Sequence, residues 1–291
     1  RPAAWWWWAL MLLACVILNR SGAFGTPYAN LKATLAGLLQ YGNFRFADSF
    51  GHYEYGSSFV YWSLSLEEQF YLLFPLLILV CRKHLVWALL VLVAVQLFTQ
   101  RSELLMVIRT DALALGVLLA MWSIHPSYRR SQPIFLRRPW VGVSTLIVVL
   151  LLLSVIPTDR FPFASYRVGS IAVLSALLVW IASYNRDFLL PVGGSQRLMA
   201  WVGSRSYGIY LTHIPAYLLV RELIFRLQSA GLPNPAGHPI LTLLIAFALI
   251  LLLSELNYRL IEMPMRRRGV SLVERLSLPP NAVPSSGATS C

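Results

Sequence analysis

The sequence predicts an all-helical membrane protein, a polytopic transmembrane bundle of about eight spans. Three observations carry that class. Only 12% of the residues are charged and 57% are apolar, where a soluble domain carries about 25% charge. Uncharged runs recur at Val141–Ile156, Ile171–Ser183 and Ile240–Ser254, close to the roughly 20 apolar residues a helix needs to cross hydrocarbon. Basic residues stand in short clusters between such runs, at Arg82–Lys83, Arg129–Arg130, Arg137–Arg138 and Arg266–Arg268. The net charge of +12 is therefore distributed as in cytoplasmic loops, and no nucleic-acid partner is expected.

Taken in order, the spans read 3–19, 62–80, 84–99, 103–124, 139–156, 166–184, 201–226 and 239–259. The first opens on four consecutive tryptophans, Trp5–Trp8. They suit an interfacial aromatic belt, and no small-x-small cleavage site follows that would make this run a signal peptide. Tyr28–Leu39 is too short and too polar to span and reads as an amphipathic or re-entrant helix. Residues 41–60 are aromatic, Gly-rich and polar, as an ordered interfacial loop would be. The membrane domain runs over 1–268, and 269–291 reads as a cytoplasmic, Pro/Ser-rich disordered tail. Cys15, Cys81 and Cys291 share no metal-ligand spacing, so neither a metal nor a disulfide is expected.

Alternating sides from a cytoplasmic Arg1 places 15 of the 24 basic residues at cytoplasmic loops and helix ends. Eight fall opposite, and Arg109 lies within a span. This bias puts the N-terminus and the tail in the cytoplasm and residues 41–60 outside.

Ionisable groups inside spans cost several kcal/mol unless paired or hydrated, so each is a functional candidate. The first cluster is Trp62-Ser-Leu-Ser-Leu-Glu67-Glu68-Gln69-Phe-Tyr71, in which Glu67 shares a helical face with Ser63 and Tyr71. That face lines a wet cavity, or Ser63 or Ser65 caps the helix with the acids at its positive end; both readings stand. Arg109-Thr-Asp111 is the second: two residues apart, the charges point to different sides, and each needs a partner on another helix. Ala112 and Gly116 there would permit close helix contact. The third is Ser206-Tyr207-Gly208-Ile-Tyr210-Leu-Thr-His213-Ile-Pro215, where His213 is a ligand-facing group or a hydrogen-bonded packing residue. In the fourth, Glu255, Arg259 and Glu262 fall on one stripe and suit a salt-bridge ladder. At 1.5 Å per residue, Glu67 and Arg109 lie on the order of 8–10 Å from one surface and His213 about 18 Å from the other, depths at which the three would share a polar cavity.

These strings together carry a resemblance. Trp-Ser-Leu-Ser-Leu-Glu-Glu-Gln-Phe-Tyr-Leu-Leu-Phe-Pro (62–75), Arg-Thr-Asp-Ala-Leu-Ala-Leu-Gly (109–116), Ser-Tyr-Gly-Ile-Tyr-Leu-Thr-His (206–213) and Tyr-Arg-Leu-Ile-Glu-Met-Pro (258–264) resemble the acyltransferase 3 family in order and spacing over residues 1–268. The resemblance implies a multi-pass protein of the bacterial inner membrane with ten spans. It implies an acyl-CoA, usually acetyl-CoA, as donor substrate with no permanently bound cofactor. The acceptor would be a hydroxyl of a cell-envelope polysaccharide, lipopolysaccharide or related glycolipid. Arg1-Pro2 matches the end of an Arg-x-x-Arg element that opens the family's third span. Two further spans, the first bearing the family's proposed catalytic His, are therefore expected ahead of this segment. The roles implied here are supporting ones. Glu67, Arg109, Asp111 and His213 would serve catalysis; Trp62, Tyr71, Tyr207 and Tyr210 would bind substrate; Arg1, Glu262 and Arg266 would bind the acyl-CoA, with Arg1 and Arg266 meeting its phosphates.

Acyl transfer to a hydroxyl needs a base, donors for the developing oxyanion and positive charge for the phosphates. Two rivals stand beside it: a secondary transporter of an envelope precursor, with Pro75, Gly116 and Pro215 as helix interruptions, and a non-catalytic remnant of the same fold.

Overall fold

The computed structural model describes residues 2–99, 102–158, 166–186, 188–190 and 193–277, and among these every regular element is a helix. In chain order they are α1 (Pro2–Ile17), α2 (Pro27–Leu38), α3 (Gly42–Ser49), α4 (Trp62–Cys81), α5 (Leu85–Phe98), α6 (Glu103–Val107), α7 (Asp111–Ser123), α8 (Pro126–Arg130), α9 (Pro139–Val155), α10 (Arg167–Ser183), α11 (Gly194–Ser229), α12 (Pro239–Asn257) and α13 (Met263–Ser277). A π turn at Tyr258–Glu262 joins the last two. Proline at the first turn of α2, α9 and α12 sets the starting φ where its missing N–H costs nothing.

Three helical stretches, Phe59–Phe98, Glu103–Ser123 and Pro239–Glu274, are long and apolar enough to cross a membrane. Ala3–Ile17, Pro139–Val155 and Arg167–Ser183 are apolar but shorter, about a turn less than a 30 Å core asks of an untilted helix. Outward-facing Leu72, Leu79, Val80 and Phe98 are largely exposed, a surface that lipid covers at no cost.

The helices gather into two compact units. One comprises Arg1–Phe24 with Arg205–Cys291. Its core packs Met11, Cys15 and Phe24 against Leu218. Only Trp5 and Trp6 of the expected aromatic belt are exposed; Trp7 and Trp8 turn into the core, because successive helical residues differ by about 100°. Trp7 Nε1 donates to Asn257 Oδ1 at 3.0 Å. Helix α13 continues past residue 268 to Ser277, so the first part of the expected tail is helical; residues 278–291 lie outside the described residues.

The other unit is Gly25–Ser204. Arg82, at φ +41°, turns α4 into α5, and Leu85, Leu89 and Val93 pack with Ala114 against Phe74, Leu77 and Cys81. Ala114, rather than Gly116, is the small residue at that contact; a Cβ on Gly116 would meet nothing within 4 Å. The loop expected over 41–60 contains α3, and Tyr61, the residue before α4, makes no side-chain capping bond to it. Ser65 Oγ instead accepts from the backbone of Gly42 at 3.2 Å, which removes it from the cap role. The single span expected at 103–124 is broken between α6 and α7.

Candidate functional site

The break at Ile108–Thr110 is stable because its freed backbone groups find side chains. Thr110 N–H donates to Gln96 Oε1 at 2.8 Å, and Gln96 Nε2 returns a bond to Thr110 Oγ1 at 3.2 Å. Asn43 Nδ2 donates to the carbonyl of Val107 at 3.2 Å. Irregular backbone at membrane depth requires such partners, since lipid offers none. Asp111 is fully buried at the first turn of α7, where its Oδ1 accepts from Ala112 N–H at 3.0 Å. The carboxylate therefore sits against the positive end of the helix dipole. This differs from the continuous helix expected: Arg109 stands in the break itself, beside a cavity of about 100 Å³ that it lines with Gln96 and Thr99.

Helix α4 approaches the same place through a reciprocal amide pair. Gln69 Nε2 donates to Asn43 Oδ1 at 2.9 Å and to the carbonyl of Gln40 at 2.7 Å, while Asn43 Nδ2 donates to Gln69 Oε1 at 3.0 Å. The pair ties α4, two residues beyond Glu67, to the carbonyl two residues before Arg109. Trp62 at the mouth of α4 stacks flat on Phe46, with centroids 5.5 Å apart. Tyr71, on the Glu67 face, is half exposed.

Above α4, the segment 50–58 is clasped to α2 and α3. Ser57 N–H donates to the buried Asn30 Oδ1 at 3.0 Å, and Arg45 Nη1 to the carbonyl of Tyr55 at 3.1 Å. The Arg45 guanidinium lies 4.6 Å from the Tyr55 ring centre and 5.1 Å from that of Tyr53. Burial pushes the Tyr55 phenol well up, and burial together with the bond to Asp48 raises Tyr53. Both remain protonated at physiological pH.

The remaining sequence-predicted residues belong to the other unit. His213 Nδ1 lies 2.6 Å from the carbonyl of Tyr210, one turn back on α11, and the two rings are 5.7 Å apart. Tyr207 opens the same stretch of α11 and is partly buried. Glu255 pairs with Arg205 Nε at 2.9 Å and with Arg259 one turn on. Glu262 drops off the expected ladder, because the π turn adds a residue to the rotation; it accepts from Asn257 Nδ2 instead. Arg266 is exposed on α13. Arg1 lies outside the described residues.

Several structural participants were not singled out from the sequence. Gln96 is a lone amide in an apolar run, and the cost of an unsatisfied polar group in lipid was the available signal; Gln69 stood in the first polar cluster, but its partner Asn43 was not legible. Gly208 is another: a Cβ there would lie 3.1 Å from the carbonyl of Ser254 and 3.3 Å from Asn257 Nδ2. Glu222 is nearly fully buried and accepts from the backbone of Arg20 and Ser21 and from Arg226 Nε at 2.7 Å. Its i,i+4 spacing to Arg226 was legible, but its loop partners, some 200 positions away, were not.

A family model described as an acyltransferase domain matches residues 2–256. Among curated relatives, the putative peptidoglycan O-acetyltransferase YrhL of Bacillus subtilis is 30% identical over 229 residues, which is 72% of this chain and 34% of that protein. The peptidoglycan O-acetyltransferase OatA of Listeria monocytogenes is 28% identical over 229 residues, 72% of this chain and 35% of its own length. The O-acetyltransferase OatA of Staphylococcus aureus is 28% identical over 232 residues, covering 72% and 36%. The chain thus spans about a third of the length of the curated relatives it matches. No solved structure matches it.

Proposed function

Because the chain belongs to the acyltransferase 3 family, we propose that the protein transfers an acetyl group from acetyl-CoA to a hydroxyl of a cell-envelope polysaccharide. The observation that carries this reading is the family match over residues 2–256, within which the first three motif strings lie whole. Relatives named as peptidoglycan O-acetyltransferases make a glycan the acceptor of choice.

The chemistry is an attack of the glycan hydroxyl oxygen on the thioester carbonyl carbon. A base takes the hydroxyl proton, the C–S bond breaks, and the CoA sulfur leaves with a proton. Charge develops on the carbonyl oxygen in between, and a guanidinium such as Arg109 is the kind of donor that lowers its cost. Asp111 opens the helix that follows Arg109, and Glu67 lies two residues before Gln69, whose partner Asn43 also holds the Val107 carbonyl. Tyr207, Tyr210 and His213 form a second polar stretch, on α11, suited to hydroxyl-rich ligands, and Trp62 and Tyr71 flank the start of α4. Glu262 and Arg266 follow α12, at the end that the charge bias assigns to the cytoplasm, where acyl-CoA would arrive and Arg266 would meet its phosphates. Arg1 shares that assignment.

The broken helix at 108–110 favours the transporter reading, since half-helix N-termini often receive anionic substrates. Here that end already faces the Asp111 carboxylate of the chain itself, which argues against an anion seat.

The test is acceptor-dependent release of free CoA thiol by the intact protein in detergent or nanodiscs. Thiol release matched by ester formation on the glycan is the expected result. Vesicle uptake of the donor or acceptor without thiol release would replace the enzyme with a transporter. Orientation is tested by membrane-impermeant labelling of single cysteines: His52→Cys should react from outside, and Arg130→Cys should not.

A further inference from the structure

The segment 50–58, clasped onto α2 and α3, borders a partly open cleft of about 940 Å³. It lies wholly within the Gly25–Ser204 unit. None of the four motif strings reaches it. We propose that this cleft binds a short saccharide segment, seated against Tyr28, Tyr41 and Tyr53 and hydrogen-bonded at its edges by Asp48 and Glu54. The inference rests on the acetyl-transfer reading only in identifying that segment as part of the acceptor glycan.

The lining carries the argument. Three tyrosines from three different elements line the cleft and keep large exposed surfaces, Tyr28 at 67%, Tyr41 at 41% and Tyr53 at 42%. Aromatic rings with polar tips match a sugar ring, whose C–H face is apolar and whose rim is all hydroxyl. The carboxylates are fixed in place. Asp48 accepts from the Tyr53 hydroxyl at 2.8 Å, and Glu54 accepts from Thr26 N–H at 3.1 Å and from Thr26 Oγ1 at 3.0 Å. A carboxylate has about four lone-pair positions, so each keeps capacity for a sugar hydroxyl after these bonds.

Charge selects among ligands. Lys32 and Arg45 balance Asp48 and Glu54, and Arg45 is buried and engaged with Tyr55 and Tyr53. Lys32 sets its ammonium over one face of the Tyr28 ring, 4.3 Å from the centre, and Tyr28 stays 67% exposed. The cleft is therefore not a phosphate hole, and a neutral polyhydroxyl chain fits it better than a lipid headgroup. The volume lies at the upper end of the usual small-molecule range, room for more than one ring. The clasp is preformed, so binding orders little of the protein.

The probe is the tetramer of N-acetylglucosamine, titrated calorimetrically into the intact protein. Tyr28→Ala should weaken its binding at least about tenfold, and Tyr28→Trp should restore it. Tyr28 is largely exposed, so folding should be unchanged, which an unaltered melting temperature checks. The acceptor KM of acetyl transfer should rise in step. If the probe binds and Tyr28→Ala weakens it although no acetyl is transferred, the cleft stands and the acetyl-transfer reading falls. If transfer proceeds but Tyr28→Ala moves neither probe affinity nor KM, the cleft assignment is overturned. It is equally overturned if the wild-type protein does not bind the probe, or if the variant loses only binding to anionic phospholipid vesicles.

Discussion

The region around Asn30, Asn43 and Gln69 ties its helices together chiefly through neutral amides and backbone groups, whereas α11 and α12 are also joined by ion pairs. In the first, each amide gives and receives, and the buried Arg45 donates to a backbone carbonyl rather than to an acid. The charged side chains nearby, Lys32, Asp48 and Glu54, are left facing an open cleft. In the second, Arg205 and Arg259 share the Glu255 carboxylate, with Arg259 exposed and the other two partly buried. A buried amide network is directional and fails when one partner is lost, because the other remains unsatisfied. A partly exposed ion pair is adaptable, and water substitutes for either side. The contrast separates polar residues that build the scaffold from those available to a ligand.

The comparison breaks most severely at Gly208, where α11 packs closely against the backbone of α12. Gly208→Val should cost up to about 3 kcal/mol, since the added carbons meet the Ser254 backbone carbonyl, which cannot swing away. The fraction of monodisperse protein in detergent-solubilised membranes reads this directly. A normal yield would show that α11 and α12 can separate there freely.

Asn43→Leu should follow, at about 2 kcal/mol, because Gln69 and the Val107 carbonyl both lose a buried partner. Its combination with Gln69→Leu should cost less than the sum of the two, as a double-mutant cycle on melting temperature would reveal. Strict additivity would mean that the amide pair does not act as a unit.

Arg109→Ala sharpens the distinction between scaffold and site. Turnover in the intact protein should fall at least about tenfold, roughly 1.4 kcal/mol of transition-state stabilisation, with folded yield retained. Poor yield with normal turnover per folded molecule would move Arg109 from the site to the scaffold.

The smallest effect belongs to the ion pairs. Arg259→Ala removes a side chain that is 72% exposed and should leave the melting temperature unchanged. Arg205→Ala should lower it slightly at low salt and not at all at high salt. A large, salt-independent loss would show that the pair is desolvated and that the two regions are not so different.

The sequence by itself determined the helical membrane class and, within a few residues, the ends of α4, α5, α9, α10 and α12. It also determined the pairing of Glu255 with Arg259, a local consequence of i,i+4 spacing. Among the candidate site residues, Glu67, Arg109 and Asp111 were legible as costly groups in apolar runs. Hydropathy and periodicity are properties of neighbouring residues, and those elements depend on little else. Tertiary structure alone decided that Trp7 and Trp8 turn inward while Trp5 and Trp6 do not, that the helix breaks at 108–110, that a π turn displaces Glu262, and that the tyrosines of 28, 41 and 53 converge on one cleft. Each of these depends on partners distant in sequence: Asn257 for Trp7, Asn43 and Gln96 for the break, Asn30 and Arg45 for the clasp. A backbone group freed inside the membrane is affordable only where such a partner arrives, and its arrival is settled by packing rather than by composition.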